Sequence, residues 1–239
     1  MSVLYAKVYD MSAEFDDRYV PELESAIARW GGIIAPSVGD TIVGLFAEEV
    51  DKCLDAALSA IECFAGSTYV KTNTLYTKIG IGLDTGTLLA ESDDEEIGRL
   101  PYIVKDTQYT AARVEALTQL YETPLLMTHR TFLQLSQTEG YRIRLIHRLE
   151  GSDRADPISV FEVFNGDSLE VQDAKLETKT QFEQGLFLYF MGFVEEAGHL
   201  FEECLEVYPG DRVIQIYLKR CHRSSVNSRS LISHQSPVN

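Results

Sequence analysis

Apolar and polar positions alternate at the start of the chain. Val3, Tyr5 and the aliphatic stem of Lys7 interleave with Leu4, Ala6 and Val8, which predicts a strand over residues 3–9. The period then lengthens. Leu23, Ile27 and Trp30 form an apolar stripe at helical spacing over residues 21–30, with Pro21 suited to the first turn and Gly31-Gly32 to the end. Short apolar runs at 32–35 and 41–46 flank Val38-Gly39-Asp40 and predict a hairpin. A second helix is expected over 49–64. Strands follow over 77–83 and 87–91, joined by Asp84-Thr85-Gly86, then an acidic loop tip at 92–96 and a short strand at 102–104. Ala111, Ala112, Val114 and Leu117 mark a helix over 107–121. Residues 124–127 read as a strand, 131–135 as a short helix, and 142–149 and 159–164 as closing strands. This order describes an α+β sandwich with a mixed, ferredoxin-like sheet.

After Asn165-Gly166-Asp167 the pattern is helical only. Phe182, Gly185, Leu188, Gly192, Ala197, Phe201, Leu205 and Pro209 sit at the signature positions of one tetratricopeptide repeat of about 34 residues, with a capping helix expected over 212–222. A single repeat cannot bury its own face, which implies packing on the domain or on a protein partner. The expected organisation is therefore a domain over 1–166, a helical extension over 167–223 and a polar, mobile tail over 224–239.

Composition narrows the function classes. A net charge of −16 argues against nucleic acid and against anionic lipid as direct partners. No apolar run reaches the roughly 20 residues of a membrane span, and the N-terminus lacks the pattern of a signal peptide. The four cysteines, Cys53, Cys63, Cys204 and Cys221, show no Cys-x-x-Cys spacing and read as reduced thiols of a cytoplasmic protein. The five histidines show no metal-ligand spacing. Gly80-Ile81-Gly82 is a strand pattern and not a phosphate loop, since no Gly-Lys-Ser/Thr follows.

Five blocks, in order, carry a resemblance. Asp106-Thr107-Gln108-Tyr109-Thr110-Ala111-Ala112-Arg113-Val114-Glu115 resembles the G-D-x-V-N-x-A-A-R-L-E helix of class III adenylate/guanylate cyclases. Residues 31–40 resemble their G-G-x-x-x-K-x-x-G-D hairpin, and 78–86 the R-I-G-I-x-x-G strand. Residues 123–126 and 158–163 are similar to the strand after the helix and to the final strand. The resemblance implies a cyclase homology domain with a ferredoxin-like βαββαβ core, a small all-α extension after it, and sites formed between two chains. The acidic segment 93–96 is then either a solvated loop or an arm toward the partner.

In such cyclases two carboxylates hold two divalent metals, Mg or Mn, on the triphosphate. An arginine stabilises the charge growing at the α-phosphate. Carried over residue by residue, Asp40 falls on the second metal position. The first falls on Asp10 or, with the strand shifted by three, on Lys7. Arg113 falls on the transition-state arginine. Tyr109 replaces the ribose-orienting Asn, and a phenol lacks the amide's donor–acceptor pair. Pro36 replaces the purine-reading Lys, and Tyr102 holds the second purine-reading position. Lys105 replaces the glycine that opens the helix motif. The phosphate Lys falls near Leu149-Glu150, with Arg148 as a stand-in. The metal half of the site is thus matched while the base-and-ribose half is substituted. This implies a catalytically inactive, dimerising regulatory module, as homodimer or as heterodimer with another cyclase-like domain. The alternatives are an active cyclase of altered nucleotide choice or a metal-dependent nucleotide sensor.

Overall fold

The computed structural model describes residues 1–9, 13–36, 40–47, 49–65, 79–86, 102–150 and 156–233, excluding the side chains of 13–19, 65, 102–105 and 225–233. The chain forms two compact units, Met1–Gly166 and Asp167–Asn239.

In the first unit the strands are β1 (Ser2–Val8), β2 (Ile33–Ala35), β3 (Thr41–Phe46), β4 (Ile79–Thr85), β5 (Leu125–Thr128), β6 (Ile143–Leu149) and β7 (Ile158–Val163). The helices are α1 (Ala13–Arg29), α2 (Val50–Ala65), α3 (Tyr102–Glu115), α4 (Leu117–Tyr121) and α5 (His129–Phe132). The strands make one mixed sheet in the order β2-β3-β1-β4-β5-β7-β6. Strand β1 is antiparallel to both neighbours, with Lys7 opposite Thr41 on one side and Gly80 on the other. Strand β4 runs parallel to β5.

The alternation along β1 and β4 assigns the two faces. Leu4, Ala6, Val8, Ile79, Ile81 and Leu83 are buried in one core with Leu23 and Ile27 of α1 and Leu54, Ala57 and Ile61 of α2. The opposite face carries Val3 and Val43 under Ala111 of α3. Gly80 and Gly82 lie on that second face, and their missing side chains are the seat of α3. A Cβ at Gly82 would collide with the Ala111 carbonyl oxygen and lie 2.5 Å from the Glu115 nitrogen. One at Gly80 would collide with Thr118 Oγ1 and lie 2.6 Å from Glu115 Oε1.

Several elements differ from the sequence expectation, among them α5, which begins at His129 and not at residue 131. Helix α1 begins at Ala13 and carries Pro21 inside it, not at its first turn. Its second half stays helical because Leu23, Ala26 and Ile27 are buried, which offsets the lost backbone donor. Residues 102–104 form the first turn of α3 and not a strand. The β-propensity of Tyr-Ile-Val is a weak prior against extension of an adjoining helix. The helix expected over 107–121 divides at Ala116 into α3 and α4, and α4 closes on Glu122 in the left-handed conformation (φ 55°). The strand expected at 87–91 and the acidic tip at 92–96 lie outside the described residues.

The second unit holds α6 (Leu169–Phe190), α7 (Val194–Val207) and α8 (Arg212–Ser233). The Ser168 hydroxyl caps α6 by accepting from Val171 N. Asp211 Oδ1 accepts from Ile214 N at the start of α8. Phe182, Leu186, Ala197, Phe201, Val213, Ile214 and Tyr217 are buried. Gly185 admits the Phe201 ring, since a Cβ there would lie 2.7 Å from Phe201 Cε1. Gly192 turns the chain between α6 and α7 with φ +89°. Helix α8 runs past the end expected at residue 222, through residues expected to be a polar tail. Ser-Val-Asn-Ser-Arg-Ser contains no Gly or Pro to stop it.

Candidate functional site

Strand β1 delivers its last residues to the turn that precedes β3. Val8 N donates to the Asp40 carbonyl oxygen at 2.8 Å, which fixes Asp40 beside the strand end. The Asp40 carboxylate takes two partners: Thr41 Oγ1 donates to Oδ1 at 3.3 Å, and Lys7 Nζ lies 3.4 Å from Oδ2. Lys7 and Tyr9 follow Val3 and Tyr5 onto the α3 face. The Lys7 ammonium sits 5.6 Å from the centroid of the Tyr9 ring. Tyr9 OH donates to Glu115 Oε1 at 2.5 Å. Glu115 is only 3% exposed, on the stripe of α3 that also buries Ala111. Burial raises its carboxyl above the usual range; the Tyr9 hydroxyl and the Lys7 charge oppose this, and Asp40 adds to it. Burial and the Glu115 carboxylate push the Tyr9 phenol up.

A second cluster lies further along α3. Tyr109 is 65% exposed. The Arg113 guanidinium, one turn on, lies 5.9 Å from the Tyr109 ring centroid, and its Nη2 donates to the Glu150 carbonyl oxygen at 3.0 Å. At the other end of β4, Asp84 is fully buried. Its Oδ1 accepts from Thr128 Oγ1 at 2.6 Å and Arg130 Nε at 3.1 Å, and its Oδ2 from Arg130 Nη2 at 2.8 Å. Arg130 Nη2 also donates to Thr110 Oγ1 at 3.2 Å, so this α5 residue ties α3 to β4. Burial raises the Asp84 carboxyl; Thr128 and Arg130 lower it.

Of the residues singled out from sequence, the structure gathers Asp40 with Lys7, and Arg113 with Tyr109. Pro36 is exposed just after β2 and offers no polar side-chain atom. Asp10 lies outside the described residues, as do the side chains of Tyr102 and Lys105. Tyr9 and Glu115 were not anticipated. A carboxylate on the sheet-facing stripe of a helix, and a tyrosine continuing the β1 alternation, are the signals that point to them.

A divalent ion at Asp40 would need a shell of hard oxygen ligands. Among the described residues, no three His, Cys, Asp or Glu side chains converge to hold one. The Asp40 carboxylate faces an ammonium instead. Among the described residues Asp40 is paired with an ammonium, and Asp10, the other candidate ligand, lies outside them. Nor is any helix among the described residues long and apolar enough to cross a membrane.

No family model matches the chain. It is 24% identical over 214 residues to the terminal-differentiation specific adenylate cyclase of Dictyostelium discoideum, a match covering 87% of this chain and 10% of that protein. It is 30% identical over 159 residues to an adenylate cyclase of Anabaena cylindrica, covering 62% of this chain and 31% of the relative. The chain thus spans a minor part of both curated relatives. Two structures of a bacterial light-regulated adenylyl cyclase superpose with a TM-score of 0.50. They are 19% and 20% identical, over 69% and 72% of this chain and 51% and 55% of theirs. The mixed sheet with α1 and α2 on one face and α3 on the other is the fold of the class III adenylate/guanylate cyclase homology domain, and the chain has homologues among the adenylate cyclases.

Proposed function

We propose that the chain is a catalytically inactive class III cyclase-like module that dimerises, with itself or with another cyclase-like domain, and regulates its partner from a cytoplasmic location. The observation that carries this reading is the pair of substitutions Tyr109, exposed on α3, and Pro36, exposed just after β2. Neither can reproduce the hydrogen bonds of an Asn or a Lys. Beside them the Arg113 guanidinium already donates to the Glu150 carbonyl oxygen of its own chain. Losing one contact to a developing charge costs about 2.7–4 kcal/mol, so several such losses reduce turnover by many orders of magnitude. In this reading the helices of 167–223 form a tetratricopeptide-like contact for a protein partner.

The test is direct. Purified protein incubated with Mn and ATP, GTP, CTP or UTP in turn should yield no cyclic nucleotide. A second reading, an active cyclase of altered nucleotide choice, is favoured by the names of both curated relatives. It requires a cyclic product whose formation Arg113→Ala abolishes. A metal-dependent nucleotide sensor would instead bind a triphosphate without turning it over. Sedimentation of the protein alone, and of partners captured with it, separates homodimer from heterodimer.

A further inference from the structure

Lys7 holds one of the two positions, with Asp10, that the resemblance offers for the first metal ligand. Its backbone is pinned between two ladders, opposite Thr41 in β3 and Gly80 in β4. Asp40 is pinned beside it through the Val8 N to Asp40 O hydrogen bond. The sheet thus holds the two backbones side by side, and the ammonium lies 3.4 Å from Asp40 Oδ2. The ammonium also lies 5.6 Å from the centroid of the Tyr9 ring, whose hydroxyl donates to Glu115. Lys7 and Asp40 keep 37% and 34% of their side chains exposed, so the pair stands at the surface where an ion from solvent would compete.

We propose that Lys7 is the resident cation of the Asp40 site. Its single positive charge, held against the Asp40 carboxylate, takes the place a divalent ion would need and keeps Mg and Mn from binding there. The inference rests on the reading of Asp40 as the metal position of the cyclase-like domain, and it names the residue that disables that position.

Titration of the full chain with manganese chloride, with free Mn followed by electron paramagnetic resonance, tests it. The wild-type and Asp40→Asn proteins should give the same binding curve. Lys7→Asp should gain a saturable Mn site, tightened about tenfold or more over wild type, and Asp40→Asn in that background should remove it. Lys7→Gln, which keeps the length of the side chain without the charge, should gain weaker Mn binding that also depends on Asp40; it serves if Lys7→Asp fails to fold. Wild-type Mn binding that Asp40→Asn weakens would overturn the proposal while leaving Asp40 as a metal position. Folded Lys7→Asp and Lys7→Gln proteins that gain nothing would overturn both.

Discussion

Single residues in this chain divide into those that seat α3 and those that α3 displays. Gly82 belongs to the first kind. Its Cβ would strike backbone atoms of Ala111 and Glu115, which cannot swing aside as a side-chain tip can. Gly82→Ala should cost at least about 1–3 kcal/mol in a urea titration. Glu115 also belongs to the seat, and it adds a pH signature. Because its folded-state carboxyl is raised by burial, the native state favours the protonated form. Its contribution is fully present below the ordinary carboxylate range and is lost as pH rises through the raised value. Glu115→Gln keeps an acceptor for Tyr9 and removes the titration. The stability of the variant relative to wild type should therefore increase as pH is taken from about 4.5 toward neutrality, read from unfolding midpoints. A flat difference would mean that Glu115 is not held as the Tyr9–Glu115 geometry implies.

At the scale of elements, β6 and β7 are joined across their registered pair Arg144 and Glu162 by a buried ion pair, Arg144 Nε to Glu162 Oε2 at 2.6 Å. Arg144→Ala strips a buried carboxylate of this cation and should destabilise by about 3–5 kcal/mol. Replacing both with apolar residues of similar size should recover most of the loss, since the pair itself is expensive to desolvate. Thermal unfolding of the two variants measures both effects. Strands such as β1 and β3 were legible in the sequence because alternation survives in a single chain segment. Asp40 and Arg113 could be singled out as candidates because their neighbours sit at fixed offsets. The ion pair of Lys7 with Asp40 could not, because it depends on the antiparallel register of β1 against β3. Tyr9 and Glu115 meet across 106 residues, and Asp84 meets Arg130 only through the parallel pairing of β4 with β5. No local pattern encodes such meetings. The first turn of α3 was misread for a related reason: Tyr-Ile-Val favours a strand locally, and only the helix that follows decides otherwise.

For the whole molecule, each of the two units has buried apolar residues of its own. The sheet core runs from Leu4 to Val163, and Phe182, Phe201 and Tyr217 pack ring against ring in the helices. A chain ending at Gly166 should therefore unfold cooperatively by itself, and residues 167–239 alone should show a helical circular dichroism spectrum. Loss of cooperativity in the shorter chain would mean that the sheet domain depends on the helices. The seat that Gly80 and Gly82 make for α3 has one more consequence. It holds the helix through atoms on its buried side, while Tyr109 stands exposed on the same helix and Pro36 on the rim of the hairpin. Substitution at those two exposed positions is expected to leave this seat undisturbed, so the surface there is free to change while the scaffold stays as it is.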